Sequence, residues 1–259
     1  MRIGIESVGV LAPGLPDWAD TQAVLAGRAP FSSAPLAPCS PASLAPAERR
    51  RSSPTVRLAI SAAEQALGRT ALAPQEMALF FASAEAAGVI THQLCEALAG
   101  SREVSPTQFH NSVHNAPSGY YSIAMNAKLS ATSVCRGPWS FAAGLLGASV
   151  LSISDGLPVL YVCYDSPLPN PLSDAMPVVE PTAIAMVIAP GPGACALATW
   201  EIEVEPSDGS VGWPAWMPEA WHANASARGF GALLTLCGGA IASARAPLSP
   251  ELDVRVRRC

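Results

Sequence analysis

The sequence predicts an α/β protein with a largely buried sheet, and three observations predict it. Short, almost wholly apolar runs alternate with stretches of helical periodicity. Pro and Gly sit at the boundaries between them. One passage, Leu129–Ala148, carries a strand straight into a helix start through Arg136, Gly137, Pro138, Trp139 and Ser140. Half of the 259 residues are hydrophobic, enough to fill the core of one large unit.

The elements follow in order. Arg2–Leu11, rich in Ile and Val and closed by Ala12, Pro13 and Gly14, reads as a buried strand. Trp18–Ala26 reads as a short helix. Pro30–Pro46 is crowded with Pro, Ala and Ser, which suits an irregular loop. Thr55–Leu67 places apolar residues at 56, 58, 59, 60, 62, 63, 66 and 67, a wide helical face made for a sheet. Met77–Ser83 is a second strand, Thr91–Leu98 a helix, and Ala116–Met125 a helix opened by Pro117. Ser130–Cys135 is a third strand, Ser140–Ile153 a helix, Pro158–Tyr164 a fully apolar fourth strand and Thr182–Ala189 a fifth. Ala194–Glu205 continues as a further strand. A Trp-rich segment, 213–221, precedes a last helix over Ala223–Ala242 made largely of small residues.

Bulk properties narrow the function. The formal net charge is −5 with only 15 Lys and Arg, Lys128 being the sole lysine, so nothing favours nucleic acid. Seven cysteines are scattered without a C-x-x-C pair, which argues against a disulfide framework or zinc knuckle and for a reducing, cytoplasmic setting. No apolar run is long enough to span a membrane, and the N-terminus lacks a signal-peptide core. Gly191-Pro192-Gly193 lacks the Lys and helix start of a phosphate loop, so no nucleotide cofactor is expected.

Several side chains invite chemistry and are better read as structure. Cys135 ends a strand before Arg136 and Gly137, a setting that can activate a thiol, yet a free cysteine on a strand is most often buried. His110 and His114 have helical metal-ligand spacing, but Pro106 and Pro117 bracket them and no third ligand lies within the motif. His92 and Cys95 read as satisfied core residues. Ser140 and Ser118 lack a Gly-x-Ser-x-Gly elbow, and Ser140 is placed for an N-cap or first-turn role. Asp165 reads as a solvated strand end. The tryptophans of 213–221 suit a cap over the sheet and an interaction surface equally.

The stretches Phe109–Tyr120 (FHNSVHNAPSGY), Ser140–Leu146 and Val159–Pro169, with Asn115–Gly119 opening a helix before the corner, resemble short β-ketoacyl synthase-like N-terminal-domain proteins. Those proteins are described as chain length factors of aryl polyene and xanthomonadin-type pigment pathways. The likeness runs over roughly residues 1 to 190. It implies a thiolase-like α/β fold: a single synthase-type half, with a mixed five-stranded core sheet covered by helices and a truncated C-terminal half. On this reading residues 1–205 form the synthase-like domain and 206–259 a short extension packed on it.

The resemblance also implies a function. Counting forward from Asn115 puts the synthase nucleophile near Pro138, and counting back from Gly156 puts it near Trp139; neither count reaches Cys135. The corner formed by Pro138, Trp139 and Ser140 is then a degenerate nucleophile position, with no catalytic residue, no cofactor and no metal. Beyond Pro190 only His222 remains to supply the two histidines such synthases use. The implied role is a non-catalytic subunit that pairs with a full-length ketosynthase and shapes its acyl tunnel while the chain grows on an acyl carrier protein. Phe109, His110, Asn111, His114, Asn115 and Tyr120 would line the seam, and the edge strand, with Ser130, Thr132 and Val134, would carry the intersubunit ladder. Two rivals stand beside it: an active condensing enzyme or acyltransferase using Cys135 with His110 or His114 as base, and a carrier-docking scaffold.

Overall fold

Local capping chemistry sets where the helices begin in the computed structural model, which describes residues 1–85, 87–192, 197–238 and 241–259. The elements run β1 (Arg2–Leu11), α1 (Trp18–Leu25), α2 (Pro46–Arg51), α3 (Pro54–Leu67), β2 (Ala78–Ala82), α4 (Gly88–Ala99), α5 (Pro106–Asn111), α6 (Ala116–Ala124) and β3 (Ala131–Val134). There follow α7 (Ser140–Asp155), β4 (Val159–Asp165), α8 (Leu172–Ala175), β5 (Thr182–Ala189), β6 (Ala198–Pro206), α9 (Gly229–Leu234), β7 (Ser243–Pro247) and β8 (Leu252–Arg258). Ser53 caps α3 by accepting from the Val56 amide at 3.2 Å, with Pro54 in the first turn. Asp17 does the same for α1, accepting from the Asp20 amide at 2.9 Å.

The described strands form one eight-stranded sheet in the order β3-β2-β4-β5-β1-β6-β8-β7. β2 runs parallel to β3 and to β4, and β5 is antiparallel to both of its neighbours, β4 and β1. The five expected core strands are thus contiguous and mixed in direction. Period-two alternation splits their apolar residues between two cores. On one side Phe80, Tyr161, Ile184 and Val8 meet α7 through Phe141 and Leu145, and meet Trp221 and Phe230 of the later segments. On the other side Leu79, Phe81, Val162 and Val187 meet α3 through Val56, Ile60 and Ala63, and meet α6 through Tyr121. Burying each such side chain contributes about 1.5–3 kcal/mol, so two filled faces fix the register.

The C-terminal part differs from expectation. The predicted helix over Ala223–Ala242 shrinks to α9, preceded by 3₁₀ turns at Glu219–Ala223 and Ser226–Arg228, while Gly239 and Ala240 lie outside the described residues. Its glycines explain the break, since backbone freedom in so small-residue a run opposes a long helix. The expected strand 194–205 is seen as β6 from Ala198, residues 194–196 lying outside the description. β7 and β8, not expected from sequence, extend the sheet antiparallel to β6. Their inner side chains, Ala246, Val254 and Val256, are buried. The outer face is a ladder in which Arg257 pairs with Glu201, Arg255 with Glu203 and Glu205, and Arg245 with Glu205 and Asp208. Helix α4 is a surface helix: Cys95 is exposed, and His92 lies 3.4 Å from Glu96, so the core role expected for this pair is corrected.

Candidate functional site: the strand-to-helix corner and the adjacent groove

The parallel strands β2, β3 and β4 all end at one side of the sheet, and α7 starts there. After β3, Gly137 adopts φ 55°, the left-handed region that glycine tolerates, and a 3₁₀ turn over Gly137–Trp139 delivers Trp139 to the N-cap position of α7. Ser140 is the first residue of the helix and fully buried. Its hydroxyl accepts from the Arg136 amide at 2.9 Å and reaches the carbonyls of Gly137 (2.8 Å) and Ser83 (3.1 Å). That is the first-turn role expected of it, and it leaves Ser140 no freedom to attack an acyl group. Cys135 is exposed, contrary to the buried reading, but sits four residues before the helix tip and points its Sγ at the Ala84 carbonyl, 2.9 Å away. Pro138 and Trp139, at the tip itself, carry no nucleophile.

Asp165 corrects a second expectation. It is no solvated strand end but 2% exposed. One carboxylate oxygen accepts from the Ala84 amide at 3.0 Å, and the other from the Ser226 amide and hydroxyl, both at 2.6 Å. Burial pushes this carboxyl up and the Ser226 bonds hold it down. Asn224 adds bonds to the Glu180 carbonyl (2.7 Å) and Thr182 hydroxyl (2.9 Å), so the turn before α9 is tied to the ends of β2, β4 and β5. An Asp165→Asn substitution should lower stability by about 1–3 kcal/mol, because one amide N–H would face N–H donors. Thermal unfolding against wild type tests this, and an unchanged Tm would remove Asp165 as the anchor.

On the opposite core side lies a groove of about 500 Å³ between the chain around Leu44, α2, α5 and α6. His110, Asn115 and Tyr120, three residues expected at the seam, line it together with Leu44, Glu48, Val113, Gly119 and Ile123. His110 meets Tyr120 edge-on at 5.5 Å. Burial raises the Tyr120 phenol, with a smaller contribution from the Glu48 charge. Two apolar side chains stand out toward solvent here, Ile123 at 84% and Phe109 at 64% exposure. Asn111 is buried instead, donating to the carbonyls of Arg51 (3.0 Å) and Thr107 (2.8 Å), so it braces α5 against the end of α2. Because α5 ends at Asn111, His110 and His114 do not share a helical face, and the metal-ligand spacing dissolves. Burial lowers the His114 imidazole.

β3 forms one edge of the sheet. The Ser130 carbonyl accepts from Leu79 at 2.8 Å and the Val134 carbonyl from Ser83 at 3.2 Å, so alternation turns the main-chain groups of Ala131 and Ser133 outward. Thr132 and Val134 bond inward with Ser130. Sequence reading singled out those three and passed over the outward-facing pair, since only the register with β2 tells them apart.

A strand-to-helix corner in a mixed sheet ordered β3-β2-β4-β5-β1, with α7 on one face and α3 and α6 on the other, is the arrangement expected of a thiolase-like protein of the ketosynthase type. Residues 18–212 match the family model described as the β-ketoacyl synthase N-terminal domain, and the chain belongs to that family. Among solved structures, it is similar to the ketosynthase ApeO in complex with its chain length factor ApeC from Xenorhabdus doucetiae. That match has a TM-score of 0.75 and 24% identity and covers 100% of both chains. The ishigamide ketosynthase/chain length factor gives 0.69 at 13% identity, over 100% of this chain and 99% of that one. A type II polyketide synthase structure, the acyl-carrier protein AntF in complex with its ketosynthase AntDE, gives 0.59 at 15% identity, over 80% and 70%. These likenesses establish the fold. A search of curated protein sequences found no match. No helix among the described residues is long and apolar enough to cross a membrane.

Proposed function

We propose that this chain is a non-catalytic, chain-length-factor-like subunit that pairs with an active ketosynthase and bounds its acyl tunnel while the product grows on an acyl carrier protein. The observation that carries the reading is the corner: an indole occupies the N-cap of α7, the position to which the resemblance assigns the synthase nucleophile, and the neighbouring hydroxyl is fully engaged. The open edge of β3 and the exposed apolar side chains Phe109, Val113 and Ile123 beside the groove support pairing, because such surface is usually covered by a partner. The matched solved structures include ketosynthases in complex with a chain length factor and with a carrier protein, which favours the same partners here.

The test is co-expression with a ketosynthase and a carrier protein. Wild type should yield a heterodimer, and Trp139→Ala should keep condensation while shifting products toward longer chains. Condensation by the isolated chain, lost on Cys135→Ala, would establish the opposite reading.

A further inference from the structure

We propose that the strap Pro30–Cys39 covers a binding site for an uncharged hydrocarbon chain of about eight carbons that ends in one oxygen group, in the simplest case a primary alcohol. The pocket lies where β4 ends and β5 begins. It has a volume of about 250 Å³ and is walled by Leu36 and Cys39 of the strap, Leu58 of α3, Val89 and Ile90 of α4, and Pro181. None of its lining residues is charged. At roughly 30 Å³ for each methylene-sized group, it holds about eight of them. It shares no lining residue with the groove beside α6 and none with the corner at Cys135–Ser140, so it stands apart from the pairing proposed above.

One end of the pocket is polar. Thr55 in the first turn of α3 and Ser166 after β4 line both the pocket and a side chamber of about 10 Å³, the room of one water-sized group, which Glu85 and Asp165 also border. Among the described residues neither the Thr55 nor the Ser166 hydroxyl has a hydrogen-bond partner. A terminal hydroxyl seated there accepts from one of them and donates to the Glu85 carboxylate. A carboxylate head would instead face two acids, Glu85 and Asp165, and their charge excludes it. The strap supplies the way in. From Pro30 to Cys39 no main-chain hydrogen bond among the described residues holds it. It is pinned on either side of that stretch, by Phe31 stacked on Trp216 at 4.7 Å and by the Glu64 carboxylate, which accepts from the Ala42 and Ser43 amides at 3.1 and 2.6 Å. Between those pins it lifts without breaking a main-chain bond.

Cys39 reports on occupancy, because its half-buried thiol lines the pocket while Cys95 and Cys259 are exposed and do not. With the full chain, 1-octanol at about ten times its Kd should slow iodoacetamide labelling of Cys39 about tenfold and leave Cys95 and Cys259 unchanged, read peptide by peptide by mass spectrometry. Across the n-alkanols, affinity should rise about fourfold per methylene up to octanol and then level off, since longer chains meet no further wall. Octanoate should bind about tenfold more weakly than octanol. Thr55→Val keeps the volume and removes the hydroxyl, and should weaken octanol about fivefold. Cys39 labelling unmoved by octanol, affinity that climbs steadily to dodecanol, octanoate binding as well as octanol, or Thr55→Val binding as wild type does would each overturn the assignment. The alkanol series is read on the wild-type chain, so the outcome does not hinge on a variant that folds.

Discussion

An Ala131→Pro chain is expected to fold normally and to lose its ketosynthase in co-purification. Ala131 lies in β3 with its main-chain groups turned to the free edge, so proline there removes an outward N–H without breaking a bond to β2. In the pairing proposed above, the partner strand would be left with a carbonyl facing no donor. An unmet buried acceptor costs about 1–3 kcal/mol, which is roughly a five- to 150-fold loss of affinity. Thr132→Pro is the companion variant. Its N–H faces β2, so it should injure the fold itself, seen as a lower Tm. If Ala131→Pro co-purifies as wild type does, the ladder does not run through β3.

Gly9→Ala should be among the most damaging single-methyl additions in the chain. Gly9 lies in β1 where α3 crosses closest: a Cβ there would stand 2.3 Å from the Ala62 carbonyl oxygen and 2.9 Å from the Ala66 amide nitrogen. Both are backbone atoms of a helix packed on the sheet, so relief requires α3 to lift from β1 rather than a side chain to rotate. Overpacking of this kind costs about 3 kcal/mol or more, a fall in Tm of roughly 6–12 °C for a chain of this size. Thermal unfolding and soluble yield measure it. A Tm within a degree of wild type would mean that α3 does not sit where its contacts with β1 place it.

Which parts of this architecture were legible in the residues depended on how local their determinants are. The five core strands and α3, α6 and α7 were legible because each carries its own signal: apolar runs at Val159–Tyr164 and Ala183–Ala189, and Ser53 and Pro54 opening α3. β8 was not, because Leu252–Arg258 alternates valine with Asp and Arg and reads as a charged tail in isolation. Its arginines make sense only opposite Glu201 and Glu203 and within reach of Glu205, some fifty residues earlier. The corner at Pro138–Ser140 was legible for the same local reason as the strands. The burial of Asp165 was not, since its partner Ser226 is brought to it by a turn where the sequence suggested a helix.

The two ends of the sheet are unlike, and that difference has a bearing on stoichiometry. β3 ends the sheet with an unprotected strand, whereas β7 ends it with a five-residue strand that carries Arg245 locked among carboxylates and finishes at Pro247. Charge and proline at a border strand discourage further pairing. If pairing runs through β3 as proposed, a chain with one receptive border adds one neighbour and then stops, so such assemblies close at a pair and do not propagate into filaments.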